Sequence, residues 1–330
     1  MTSSTSAALL FFHVLAERNG KPSGLLIEVG AGELASVLAQ AEGEPFRGLA
    51  GSLACFYRPL ADAQLAAAWQ QAGWREMPAG ALCRADERLS SDFLPPAAKW
   101  VDGNWCMAPP AKATGAQSAS RAHALQMVQL VAADADTHEI EALLRRDPTL
   151  SYNLLRLVNS LGMGTGRRIT SFSQALLILG RQQLRRWLNL MLFAARQNDE
   201  RSAMLLARVA MRSRALELLA KSRGLDKNTQ EQGFMTGMFS LLGVLFGIPL
   251  TEVLAPLALG EAVHAALLRR EGDLGALLML FETAERGDLD GVAAQLDALQ
   301  IAHEEFNQAI VDAASWMQGA LRESQGPSNG

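Results

Sequence analysis

Chemistry-bearing residues are scarce in this chain: its 330 residues include three cysteines, five histidines and two tyrosines. Cys55, Cys83 and Cys106 lie 28 and 23 positions apart, spacings that build no zinc site, and an odd count argues against a disulfide framework. They are expected to be reduced thiols, partly buried. None of His13, His123, His138, His264 and His303 is followed by aspartate, and each is expected to be a surface or satisfied histidine. Charged residues make up 19 % and the formal net charge is −4, which leaves no general affinity for nucleic acid. Uninterrupted apolar runs are missing too. Residues 7–14 are apolar but have no basic stretch before them and run into Glu17-Arg18, unlike a secretory signal. Residues 234–250 are broken by Gly237, Gly243, Gly247 and Pro249, so they are expected to form a core helix ending in a turn and not a membrane span. A cytoplasmic protein is expected.

What is present suits an ordinary globular chain, 49 % hydrophobic and long enough for two cores. The first 108 residues differ from the rest. Apolar runs at 9–15 and 25–29 are joined through Asn19-Gly20, a hairpin signal. Helices are expected at 33–40 and 62–71, with a strand at 53–57 between them. Four of six tryptophans (Trp69, Trp74, Trp100, Trp105) fall here, and the segment is assigned as a small α/β domain. Residues 109–120, PPAKATGAQSAS, form a polar linker. Residues 121–322 show helical spacing throughout, with helices expected at 183–197, 203–222, 229–246, 261–269, 274–286, 289–298 and 303–322. An Asn228/Glu231 capping box is expected to open the third of these. Residues 323–330 form a disordered tail. Met204, Met211, Met235, Met238 and Met279 are expected to fill the core.

The most specific punctuation lies at 136–180. Asp136 and Glu139 are spaced as a capping box, followed by Ile140, Leu143 and Leu144 as an apolar stripe. Asp147 and Pro148 suit the cap and first position of a second helix, buried through Leu150, Leu154, Leu155, Leu157 and Val158. Ser171 and Gln174 repeat the box, Ala175, Leu176 and Leu179 follow, and Gly180 suits a left-handed end. Arg146-Asp147-Pro148, the run LLRLVNS, Ile169-Thr170-Ser171 and Ala175-Leu176 through Gly180 together resemble the HDOD domain, the HD-related output domain of bacterial signalling proteins. The resemblance extends over about residues 118–320. It implies a mainly α fold, a multi-helical HD-like domain preceded by the small α/β domain.

The same resemblance bears on chemistry. The family is a degenerate relative of phosphohydrolases in which adjacent His and Asp hold a divalent metal that activates water. The segment GFMTGMFSLLGVLFGIPL at 233–250 looks like the stretch that carries this pair, and places Ser240 and Leu241 at its positions. Leucine has no donor and a lone serine cannot replace the pair. No catalytic, cofactor or metal residue is therefore assigned, and no cofactor is expected. Some relatives follow an EAL-type cyclic-di-GMP phosphodiesterase domain; the literal string Glu141-Ala142-Leu143 falls inside a helix and is taken as coincidence, while residues 1–108 are compared, by position alone, with a shortened EAL remnant. Gly162, Gly164 and Gly166 follow a helix and lead to Arg167-Arg168, which suits a helix–helix connection and not a phosphate loop. Arg145, Arg146, Arg156, Arg167, Arg168, Arg181, Arg185 and Arg186 are expected on a solvated face, with a phosphate- or carboxylate-gripping surface as the alternative. The expected function is a non-catalytic signal-transduction output or adaptor protein that binds another signalling protein, such as a kinase or cyclase. The alternative is a sensor that holds a nucleotide or other phosphate-bearing ligand without hydrolysing it. The apolar helix at 301–321, with Phe306, Ile310 and Trp316, is expected to support a homodimer.

Overall fold

The computed structural model describes residues 7–89, 94–110, 199–255, 257 and 259–325, with 126–127, 129–131, 133, 135–146, 180, 186 and 188 between them. Two strands, β1 (Leu10–Glu17) and β2 (Pro22–Val29), form the expected hairpin. Its turn contains Gly20 at φ 82°, where a side chain would be strained, and Asn19 Oδ1 accepts from the Lys21 N–H at 2.9 Å. Then come α1 (Ala35–Glu42), α2 (Glu44–Ala50), β3 (Ala54–Tyr57), α3 (Ala63–Gln71), β4 (Arg75–Glu76), β5 (Leu82–Arg84) and β6 (Trp100–Asp102), followed by a 3₁₀ turn at Trp105–Met107. Asp62 opens α3 as its cap, accepting from the Leu65 N–H at 2.8 Å.

The six strands lie in the order β4-β3-β2-β1-β6-β5. Strands β2, β3 and β4 run parallel with helices in the crossovers, whereas β1 is antiparallel to both its neighbours. Alternation along β1 separates two faces. Phe12 points toward α2 and the loop after α3, stacking on Trp74 with ring centroids 5.4 Å apart, while Trp74 stacks on Phe46 at 4.7 Å. On the opposite face Leu15, Leu26 and Phe56 pack with Met77, Ala81 and Trp100, and Phe11 reaches Phe281 edge-on at 5.5 Å.

Beyond residue 110 the regular elements among the described residues are helices: α4 (Thr137–Arg146), α5 (Ser202–Ser222), α6 (Lys227–Phe239), α7 (Leu242–Phe246), α8 (Leu250–Leu254), α9 (Glu261–Arg269), α10 (Gly272–Glu285), α11 (Leu289–Leu299) and α12 (His303–Gln325). The molecule is mainly helical and also carries the six-stranded mixed sheet. Helix α12 continues through residue 325, three residues into the expected tail. The helix expected at 229–246 is two, interrupted at Ser240 and Leu241. Its cap is not the Asn228/Glu231 box: Asp226 accepts from the Asn228 and Thr229 N–H groups at 2.9 and 3.1 Å, which leaves the Glu231 carboxylate for another partner. Met279, expected in the core, is 43 % exposed, while Met204, Met211 and Met238 are buried. Residues 111–120 of the linker, most of the 147–180 punctuation, the glycines at 162–166 and most of the helix expected at 183–197 lie outside the described residues.

Helix α12 touches β1, α1, α2 and α5, so its apolar face is used within the chain. Phe306 and Ile310 are fully buried, and Trp316 meets Phe234 edge-on at 5.6 Å, so these three residues pack within the chain. Two buried amides do the polar part of this docking. Asn307 Oδ1 accepts from the Leu10 N–H at 2.9 Å and its Nδ2 donates to the Ala8 carbonyl at 2.8 Å. Gln318 Nε2 donates to the Gly48 and Leu49 carbonyls at 3.1 and 2.9 Å. Replacing Asn307 by leucine keeps the volume but strands two buried backbone groups. Asn307→Leu is expected to lower the unfolding free energy by about 2–5 kcal/mol, read as a lower urea midpoint at unchanged slope.

Candidate functional site

The break between α6 and α7 is positioned by two glycines. A Cβ on Gly237 would lie 2.5 Å from the Ser213 Cα, and one on Gly233 would lie 3.1 Å from the Leu216 carbonyl oxygen. Helix α6 therefore crosses α5 almost backbone to backbone, a distance only glycine permits. The crossing sets Arg212 of α5 directly against Ser240.

Arg212 is buried. Its Nη1 donates to Ser240 Oγ at 2.7 Å, and Ser240 Oγ donates in turn to the Gly237 carbonyl at 2.6 Å. Nη2 donates to Glu285 of α10, and Nη1 lies 3.7 Å from Glu282 one turn earlier. Glu282 is also gripped by Arg270 in a two-pronged contact, Nε at 3.0 Å and Nη2 at 2.8 Å. Leu241 beside Ser240 is buried and offers no polar atom. A divalent metal needs anionic or neutral donors facing it. Here one of the two positions is a leucine, and the serine hydroxyl is already bonded to a guanidinium. These residues do not fit the metal that the resemblance implies. Among the described residues no group of three or more His, Cys, Asp or Glu side chains is placed to hold one.

Glu285 also borders a cavity of about 30 Å³ between β1 and the helices. Phe11, His13, Asp102, Arg208 and Phe281 are among the other residues of its wall. That volume suits about two water-sized occupants. Arg208 is turned to the end of the sheet, donating to Asn104 Oδ1 at 2.9 Å and the Gly103 carbonyl at 2.7 Å. His13 is paired with Glu28 at 2.6 Å; His303 Nδ1 is 2.6 Å from the Ala7 carbonyl, while its buried Nε2 has no hydrogen-bond partner among the described residues. His123 lies outside the described residues.

Of the expected arginine face, Arg186 alone has a described side chain, and it is buried. It bonds Glu217 at 2.6 Å and both oxygens of Glu231, with its guanidinium 4.4 Å from the centre of the Phe234 ring. This corrects the solvated-face expectation at that position. Sequence reasoning also passed over Arg201, Arg208 and Arg212. Their spacing of seven and four is the visible signal, since it sets them along one side of α5. Arg201 donates to the Cys106, Ala108 and Val244 carbonyls and pairs with Asp199 at 2.7 Å. Cys55 and Cys106 are buried and Cys83 half-buried, all free thiols; burial pushes the Cys55 thiol up to about 12.

A helical bundle with a buried arginine at its central helix break, docked on a sheet, belongs to no single chemistry by geometry alone. The comparisons narrow the class: residues 119–256 match the HDOD domain family. A Vibrio cholerae serotype O1 protein named cyclic di-GMP phosphodiesterase CdgJ is 33 % identical over 189 residues, covering 57 % of this chain and 43 % of that protein. The Bacillus subtilis strain 168 protein YuxH, described as uncharacterized, is 28 % identical over 181 residues, 54 % of this chain and 43 % of its own. The chain thus spans less than half the length of these curated relatives. A crystal structure from Shewanella amazonensis SB2B, named provisionally as a phosphohydrolase, superposes with a TM-score of 0.44 at 15 % identity, covering 61 % of this chain and 93 % of that one.

The His13–Glu28 pair gives a pH test. Its hydrogen bond with His13 holds the Glu28 carboxyl below the usual 4.5, aided by the charges of His13 and Arg58 and opposed by burial. A depressed carboxyl stabilises the fold above its unfolded value and loses that contribution as pH falls through the folded one. The melting-temperature gap between wild type and Glu28→Gln is expected to be largest near neutrality and to close as pH drops below 4.5, followed by circular dichroism.

Proposed function

We propose that this protein is a bacterial signal-transduction regulator that acts by binding a signalling partner and not by metal-dependent phosphoester hydrolysis. One observation carries the reading. At the positions assigned to the metal-holding pair stand Ser240 and Leu241, and the buried Arg212 guanidinium occupies the serine hydroxyl. A positive charge fixed there repels a dication and offers it no ligand. The matched HDOD domain supports a signalling role, and the name of the Vibrio relative supports placing it in cyclic-di-GMP-related signalling. The nucleotide-sensor alternative gains nothing from a cavity of about 30 Å³.

Purified full-length protein is expected to show no hydrolysis of cyclic di-GMP or bis-p-nitrophenyl phosphate with Mg²⁺ or Mn²⁺. It is expected to retain one defined regulator reproducibly when used as bait in its native lysate, with binding reconstituted from the two pure proteins. Metal-dependent turnover that copurifies with the chain, or failure of the pure pair to bind, overturns the reading.

A further inference from the structure

We propose that Arg212 is a resident cation, a guanidinium built into the chain that does the structural work a bound dication would do at the same place. The inference rests on assigning Ser240 and Leu241 to the metal-pair positions, and it adds what fills the site and what that filling holds together.

Three observations converge on it. First, the guanidinium is at the centre of the helical domain, with its side chain 4 % exposed, on the helix that α6 crosses at backbone contact. Second, its contacts join three separate elements: α5, which carries it; the α6–α7 break at Ser240; and α10 through Glu285 and Glu282. A metal bridging helices does the same by gathering donors from each. Third, the surrounding charge is arranged for a cation. Glu282 and Glu285 sit three residues apart on one side of α10, where like charges would repel. Arg212 lies between them, and Arg270 closes the outer side of Glu282 at 2.8 Å. A buried charge is tolerated only when it is paired and hydrogen-bonded; here Glu285 is bonded by Arg212, and Glu282, bonded by Arg270, lies 3.7 Å from the same Arg212 guanidinium. The site is thus closed to a metal by a group that meets the electrostatic demand left by its loss. Glu285 extends the arrangement to the sheet, since it also forms part of the wall shared with His13, Asp102 and Arg208.

The test is thermal unfolding of full-length protein with and without MnCl₂, comparing wild type, Arg212→Met, Arg212→Lys and Glu285→Gln. Wild type is expected to melt at the same temperature in both conditions. Arg212→Met, which keeps the bulk but not the charge, is expected to melt on the order of 10 °C lower and to be raised by Mn²⁺, because Glu285 then loses the guanidinium it pairs with and Glu282 keeps only Arg270. Arg212→Lys is expected to fall between them with little response to Mn²⁺. The proposal is overturned if Arg212→Met melts with wild type. It is equally overturned if wild type itself is stabilised saturably by Mn²⁺ and Glu285→Gln removes the effect. Should Arg212→Met not be recovered folded, the triple variant R212M/E282Q/E285Q decides: a folded triple variant supports the proposal, and an unfolded one overturns it. These outcomes are separable from the functional reading. Hydrolysis by wild type sinks the regulator assignment whatever the melting data show, and a wild-type-like Arg212→Met sinks the resident cation without touching that assignment.

Discussion

One incomplete strand pairing organises this molecule. Strand β1 lies between β2 and β6, pairing with β2 along its length but with β6 only at Ala16 and Glu17. The backbone groups of alternate residues from Leu10 to Val14 on that side have no strand beside them, and buried backbone polar groups are costly to leave unmet. Asn307 answers the first of them, which fixes the start of α12 against the sheet. Phe281 packs on Phe11 from α10, and Arg208 enters from α5 where β6 turns away at Gly103. The small cavity marks the place where strand and helices meet without filling the gap.

Arginine does the remaining work at this seam. Arg201, Arg208 and Arg212 share a helix, yet each has a different kind of partner: three main-chain carbonyls and an aspartate, a loop, and a serine with two glutamates. A planar fork of five donors satisfies such mixed acceptors where a lysine would not. Arg186 follows the same rule against Glu217, Glu231 and the Phe234 ring. The chain is low in charge overall, and Arg186, Arg201 and Arg212 are turned inward. This explains why residues that look like a surface for phosphate in sequence can be structural instead, as Arg186 is.

Local signals were legible in the sequence and long-range ones were not. The Asn19-Gly20 turn and the helices at 62–71 and 261–269 need only neighbouring residues, and each is found, the first helix starting one residue later than expected. The Asp226 cap was missed because Asn228 and Glu231 offered an equally good spacing; the tie was broken by Arg186, 45 residues away, which takes the Glu231 carboxylate. The two-residue strand β4 and the short helix α2 carry too few residues for a period to show. Met279 misled because helical spacing cannot say which flank of α10 is covered. At the site, Ser240 and Leu241 were singled out by resemblance, but the arginine beside them was not. Its approach depends on the Gly233 and Gly237 crossing, a contact between segments more than twenty residues apart.

The position of α12 also dictates an order of assembly. Strand β1 and its closing partner, Asn307, are separated by 297 positions in the sequence. Until Asn307 arrives the hairpin presents an open, apolar edge of the kind that recruits other strands. Contacts of such sequence separation are slow to form. Docking of α12 is therefore a late step in folding, and the edge of β1 is the part of this fold open longest to association with other chains.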